Sequence, residues 1–525
     1  MKKGYLLLTL LFISVCSFAQ TNDHKSINQQ QSEFYGKFHF TSQYQWDSLD
    51  AVLYPNANRT VIAKKPTGCT LNKRIFGWLP YWTTSTEENN LNLSLLSDVA
   101  YFSYEVDVNT GGATSAHSWT TDACVTKALS SGVKVSLTAT LMASHATFFG
   151  STTSENNFIT TIINLVKARG ATGVNIDFEA VPSSLTASLT SFMQRLCDSV
   201  HNRIAGGQVT VAAPAVNWSG TWNVSALKTY VDMWVIMGYD YWYGGSPTAG
   251  PCSPLTGGGM WGSYDCTNSV IYYLSQGVPN SKVALGVPYY GYDYPCSSAA
   301  LNASTTGSGT ATLYKSTSAN AVTYGRLWDN YSMDPHYTYG SYHQCFYEDG
   351  ISLGYKYDMV NIQNIGGIGI WALGYDDGYS TAWTAIQDHF TSCTNVPCTG
   401  EFRDQGDTGN YYNNENWTWT LAPTGATAVS MTFSSFNTTT GDILSIYNGP
   451  TTASPLIGTY QGTTSPGTVT GTSGSLTFHF SSSAAGTRGA GWKAHAAGRL
   501  WRFVSAVGDG AAPHRSKIEI GGTDF

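Results

Sequence analysis

Gly173-Val174-Asn175-Ile176-Asp177-Phe178-Glu179 alternates strictly between apolar and polar residues. Val174, Ile176 and Phe178 fall on one face of an extended strand, and Asn175, Asp177 and Glu179 fall on the other. A strand with one wholly apolar face lies against a core. Three polar side chains in line on its second face are expensive to bury without a task. Same-face neighbours lie about 6.5–7 Å apart along a strand, so long carboxylate side chains can lean together. Two close carboxyls resist double ionisation, and one of them keeps a proton near neutral pH. The stretch therefore carries a candidate general acid.

Seven more short apolar runs surround it: Ile75–Leu79, Val99–Tyr104, Val133–Thr138, Gln208–Ala213, Met233–Met237, Val283–Val287 and Gly367–Trp371. Helical patterns separate several of them, over Phe158–Val166, ending near Gly170, and over Leu185–Ile204. Eight β runs alternating with helices predict a parallel (β/α)8 or TIM barrel over about 70–392. The rival, a doubly wound open sheet, calls for a glycine-rich phosphate loop after the first strand, and none follows it here.

The 525 residues are too many for one ordinary domain. With 42% hydrophobic and 12% charged residues, the chain is too apolar for disorder and too uncharged for a coiled coil. A net charge of −7 argues against a nucleic-acid partner, which needs a basic face. The 16 Trp and 33 Tyr suit a protein that stacks rings on sugars, and they equally suit core filling.

Lys2 and Lys3, the apolar run Leu6–Val15 and Ser17-Phe18-Ala19 read as a secretory signal over 1–19, so a secreted, extracellular protein is expected. No later run reaches the roughly 18 apolar residues of a membrane span. Residues 20–69 are polar and weakly periodic and read as a leader or linker. Removing Cys16 leaves nine cysteines, Cys69, Cys124, Cys197, Cys252, Cys266, Cys296, Cys345, Cys393 and Cys398. They lack metal-site spacing and are read as structural bridges or buried thiols, one at least unpaired.

After Cys393 the composition turns to Thr, Ser, Gly and Asn. Val429–Phe433, Ile443–Tyr447 and Leu476–Phe480 alternate as short strands, which predicts an all-β sandwich over 398–497. The tail, 498–525, gains Arg, Lys and His, and no fold is read in it.

The 173–179 stretch resembles the catalytic strand of glycoside hydrolase family 18, the chitinase family, whose pattern is D-G-x-D-x-D-x-E. Glu179 matches its proton donor and Asp177 the Asp two residues before. Thr172 and Asn175 replace the first two Asp of the pattern, and G-V-N-I-D-F-E is similar to the spore-cortex and peptidoglycan-lytic branch. Phe76-Gly77-Trp78-Leu79-Pro80-Tyr81-Trp82 resembles the family's first strand. Met237-Gly238-Tyr239-Asp240-Tyr241 resembles its M-x-Y-D strand, and Leu285–Gly291 its seventh. Gly369-Ile370-Trp371-Ala372-Leu373 resembles its eighth. Tyr347-Glu348-Asp349, Ser352-Leu353 and Lys356 resemble the end of a small α+β insertion, here about 292–366.

The resemblance implies a retaining, substrate-assisted glycosidase for β-linked N-acetylglucosamine polymers, chitin or peptidoglycan glycan. It implies that Glu179 donates the proton, that Asp177 orients the substrate's acetamido group, and that Tyr239 and Asp240 hold it. Trp371 would floor the reacting subsite, with Asn175, Trp78, Met237 and Tyr241 as further substrate contacts. It implies no metal or organic cofactor. A non-catalytic glycan-binding protein and an endo-acting enzyme on N-linked glycans share the same strand and remain open.

Residues 398–497 resemble a CUB domain through Cys398, Tyr411–Asn414, Asp442–Gly449 and Gly491-Trp492-Lys493-Ala494. Asp442 matches one acidic calcium ligand, but Ser483 stands where another would be expected, too few for a convincing site. The implied role is attachment to a glycan or a surface protein. The closing Cys of such a domain is missing, so Cys398 is the candidate orphan, and an altered C-terminus is expected.

Overall fold

The structure, a computed structural model, describes residues 25–520 apart from 41, 55–68, 394–396, 405–409, 412–414, 423–427, 484–488 and 500–517. The expected signal segment, Tyr412 to Asn414 of the CUB-like stretch and most of the C-terminal tail lie outside the described residues.

All eight expected strands form, and each gains at most three residues over its apolar run. They span Arg74–Pro80, Asp98–Val106, Lys134–Leu141, Gly173–Phe178, Gln208–Pro214, Met233–Met237, Val283–Pro288 and Gly367–Trp371. Each pairs in parallel with the next, and the eighth pairs with the first, so the sheet closes. This is the TIM barrel read from the sequence.

Val174, Ile176 and Phe178 of the fourth strand are fully buried against the helical layer. The Phe178 ring stacks on Phe192 at 5.8 Å and meets Phe158 and Phe148 edge-on. Phe158 lies on helix Thr152–Arg169. Ser151 caps it by accepting from the Ser154 N–H, and Gly170 ends it in the left-handed region at φ +73°. Lys167 and Arg169 in the last turn favour the same end through the helix dipole. Phe192 lies on helix Thr186–Arg203.

At the N-terminal mouth, Arg74 Nε and Gln208 Nε2 bond the Asp98 carboxylate at 3.0 and 2.9 Å, tying strands one, two and five together. Conserved chemistry of the fold class belongs at the other mouth.

Between strands seven and eight lies the insertion. It is a five-stranded antiparallel sheet in the spatial order 310–313, 290–295, 343–346, 334–339, 327–329, with helix Tyr314–Tyr324. Buried Lys356, on helix Gly350–Ile362, bonds Asp334 at 2.6 Å and Glu348 at 2.8 Å, which docks the sheet on the barrel.

The expected leader is not a passive linker. Helices α1 (Ile27–Tyr35) and α2 (Gln43–Leu53) form within it and bury Ile27, Asn28, Tyr35 and Trp46. Lys315, fully buried in the insertion's helix, bonds Asp50 of α2 at 2.5 Å and Glu87 at 2.8 Å.

Residues 397–499 form two antiparallel sheets around Phe402, Trp419, Phe478 and Trp492, with Phe402 stacked on Trp419 at 4.2 Å. Both Asp442 oxygens are occupied: Tyr411 donates at 2.6 Å, and the Ser483 N–H and hydroxyl at 2.7 and 2.6 Å. One element of the tail departs from expectation, since Ile518–Ile520 pairs with strand Pro397–Arg403.

Cys124, Cys197, Cys252, Cys266, Cys296 and Cys345 are buried free thiols, which decides the open reading of these six against bridges. Cys69 and Cys393 are register partners across a short antiparallel pair. No described helix is long and apolar enough to cross a membrane.

Candidate active site

The site lies at the C-terminal mouth, where each strand releases its last residues. The fourth strand ends at Phe178. Glu179 follows, its N–H bonded to Leu141 O at 3.1 Å, and Ala180 turns the chain away at φ +54°. Asp177, two residues back, lies wholly buried on the lumen face.

The two carboxyls form a coupled pair. Burial raises Glu179 well above the usual carboxylate range, and the Asp177 charge raises it further. Burial also pushes Asp177 up, to about 7, while hydrogen bonds from Asn28 and from the Glu179 carboxyl pull against that rise. The proton therefore resides on Glu179, which donates it to Asp177. The sequence pattern asked for one acid in such a pair, and the causes acting on each carboxyl assign it.

Strand six delivers the opposite wall. Tyr239 is buried, and its hydroxyl has no protein partner. Burial first and the Asp177 charge second raise its pKa, so it remains an O–H donor. Asp240 turns at φ +59°. Its Oδ1 accepts from Tyr290 at 2.6 Å and Tyr292 at 3.2 Å. Met237 borders the pocket, its Sδ lying 3.8 Å from Asn28 Nδ2. Strand eight contributes the floor. Trp371 is buried 4.9 Å from Phe102 and 6.0 Å from Trp78.

Three expected substrate contacts are occupied elsewhere. Asn175 accepts from Trp78 Nε1 and donates to Thr210 Oγ1, both at 2.9 Å, so Asn175 and Trp78 saturate one another in the lumen below the pocket. The physical reason is depth: both are fully buried in the barrel layer beneath Asp177, where side chains fill the lumen. The Tyr241 hydroxyl bonds Ser269 at 2.6 Å, on helix Cys266–Ser275 in the outer layer.

Sequence reading missed Tyr290 and Tyr292. Their signal was legible, because Tyr290, Tyr292 and Tyr294 alternate on one face of strand Tyr290–Pro295. It also missed Ser26, Ile27, Asn28 and Gln31 of the N-terminal segment, which enter the pocket and whose polar local sequence carries no such signal. Among the described residues no cluster of His, Cys, Asp or Glu could hold a metal ion.

The model of glycosyl hydrolases family 18 matches residues 74–376, and the CUB domain model matches residues 398–495. Human di-N-acetylchitobiase is 27% identical over 241 residues, covering 40% of this chain and 59% of that protein. The cortical fragment-lytic enzyme of Bacillus anthracis is 25% identical over 255 residues, covering 46% and 54%. The chain thus spans between half and three fifths of the length of these relatives. The group IV chitinase of Ostrinia furnacalis shares the fold at a TM-score of 0.55 and 19% identity, over 60% of this chain and 99% of that one.

Proposed function

The chain belongs to glycosyl hydrolases family 18, whose model takes in more than half of its length, and on that premise we propose that it hydrolyses β-linked N-acetylglucosamine polymers, chitin oligosaccharides or peptidoglycan glycan, with retention. The observation that carries this reading is the buried Glu179–Asp177 pair at the catalytic mouth of the barrel, with the proton on Glu179. The names of the relatives, a chitobiase and a cortex-lytic enzyme, support the same substrate class.

The steps follow from the chemistry of each group. Glu179 protonates the leaving glycosidic oxygen. The substrate's acetamido oxygen attacks the anomeric carbon, because Asp177 shares a proton with Glu179 and is not set across the bond as a separate nucleophile. Asp177 accepts the acetamido N–H and balances the positive charge that develops on the ring. Tyr239 donates its unpartnered hydroxyl to the acetamido oxygen. Asp240, braced by Tyr290 and Tyr292, borders the same group. Glu179, now a carboxylate, takes a proton from water, which opens the oxazolinium ring. The signal-like N-terminus supports export, and the CUB domain supports attachment to a glycan or a surface protein.

The test is hydrolysis of N-acetylglucosamine oligomers and of purified peptidoglycan, with Glu179→Gln beside the parent. Release that falls by about 10²–10⁴ in the variant is expected from loss of a general acid. Oligomer binding without release from either substrate refutes the enzymatic reading.

A further inference from the structure

The N-terminal segment reaches the catalytic carboxyls from outside the barrel, and it meets four site residues in turn. The Ser26 side chain bonds Glu179. The Ile27 N–H donates to Asp240 Oδ2 at 3.0 Å. Asn28 Nδ2 donates to Asp177 Oδ2 at 3.3 Å. Gln31 Oε1 accepts from Trp371 Nε1 and from the Tyr375 hydroxyl, both at 2.9 Å. Ile27 is 1% exposed and Asn28 wholly buried, although both stand at the start of a short, mostly polar helix. At the far end of α1, Tyr35 stacks on Trp82 at 4.6 Å and 11°, as a sugar ring would lie on an indole.

These contacts copy a ligand's chemistry. The Asn28 carboxamide offers an N–H to Asp177, as an acetamido group does. Substrate cannot reach Asp177 and Glu179 while Asn28 is there. We propose that α1 is an autoinhibitory plug, a segment of the chain itself that fills the reacting subsite and must withdraw before a glycan binds. This rests on the reading of the pocket as an N-acetylglucosamine site.

Two features make the plug both persistent and displaceable. Helix α2 is fastened to the barrel: Asp50 bonds Lys315, Asp47 bonds the Ser85 N–H at 2.8 Å, and Gln43 Nε2 donates to Thr83 O at 2.8 Å. Only the short stretch between Tyr35 and Gln43 separates that anchor from α1, so α1 is held at high effective concentration. The fit is nevertheless imperfect. Asn28 Oδ1, Asp177 Oδ1, Glu179 Oε1 and the Tyr239 hydroxyl are buried without a protein partner. A buried polar atom left unsatisfied is costly, and a ligand that pairs it outcompetes one that does not. An acetamido group offers an oxygen to Tyr239, which Asn28 leaves unmet. A plug that closes most molecules lowers the apparent affinity by the open fraction.

The experiment uses the full chain. Asn28→Ala/Gln31→Ala removes the contacts to Asp177, Met237, Trp371 and Tyr375. Ile27→Pro removes only the N–H given to Asp240 at a first-turn position where proline suits a helix, so it tests the plug without threatening the fold. Affinity for the N-acetylglucosamine tetramer is read by calorimetry in a Glu179→Gln background, with hydrogen exchange at the Ile27 amide and turnover in the Glu179 parent. The expected result is at least tenfold tighter binding in both variants, with faster kcat/KM. In the Glu179→Gln chain with its plug intact, exchange at Ile27 should quicken when the tetramer is added. Unchanged affinity and turnover, or tetramer bound with the Ile27 amide still protected, overturns the plug and leaves the enzymatic reading standing. Tighter binding without hydrolysis in the Glu179 parent upholds the plug and overturns the enzymatic reading. Failure of every form to bind overturns both.

Discussion

Lys315→Met isolates the buried charge cluster that holds α2 to the barrel. Lys315 has no solvent exposure, and its ammonium lies 2.5 Å from Asp50 and 2.8 Å from Glu87. Burial lowers its pKa, but the two carboxylates more than reverse that, so the lysine is charged throughout the working range. Burial raises Glu87, and the Lys315 charge opposes the rise. Methionine fills the volume but leaves two acidic groups facing each other in an apolar setting. Removing one partner of a buried ion pair costs about 3–5 kcal/mol, and at about 2 °C per kcal/mol for a domain this large the melting temperature falls roughly 6–10 °C.

The pH dependence carries the diagnostic sign. In the variant both carboxyls stay buried only by binding protons, so their folded pKa values stand above the unfolded ones. Stability from such groups is present below the unfolded pKa and is lost as pH rises through the folded pKa. The deficit against the parent should therefore be small near pH 4 and grow towards pH 8. Melting followed by circular dichroism at pH 4, 6 and 8 reads it. A drop under about 2 °C at pH 8, or a deficit that does not change with pH, would falsify the assignment of this cluster as a buried anchor.

Three other outcomes are expected. In Asp177→Asn the charge that helps raise Glu179 is gone, so the Glu179 pKa falls and the basic limb of the residual activity moves to lower pH; a limb that stays or rises refutes the coupling. Tyr290→Phe removes the 2.6 Å bond to Asp240 and leaves only the longer one from Tyr292. A hydrogen bond to a charged group contributes about 1.5–3 kcal/mol, so kcat/KM should fall roughly 10–100-fold without loss of fold, measured on the tetramer. Asp442→Asn takes away the acceptor of the Ser483 or Tyr411 bonds, and a destabilisation of about 1–3 kcal/mol in denaturant unfolding is expected. No change in the midpoint would show that Asp442 is not a structural tie.

Much of the barrel was legible because its signal is local. Each strand is an apolar run, and each helix repeats on its own period, so neighbours in the chain suffice to find them. The alternation of Val174, Ile176 and Phe178 with Asn175, Asp177 and Glu179 likewise told the two faces apart before any fold was known. Depth was not legible. Asn175 and Asp177 share that face, yet one closes a bond with Trp78 below the pocket and the other lines it. Tyr241 follows Asp240 directly, and its ring is carried outward to Ser269.

The sequence by itself determined the order of strands and helices, the two domains and the acidic pair at 177 and 179, since all of these rest on residue spacing along one strand or helix. Tertiary structure alone decided which carboxyl holds the proton, because that depends on burial and on charges brought from strand six. It alone decided that α1 lies in the cleft. Asn28 and Asp177 are 149 residues apart. A contact at that separation leaves no periodicity in either segment, and it exists only because the closed barrel brings its C-terminal loops within reach of one anchored helix.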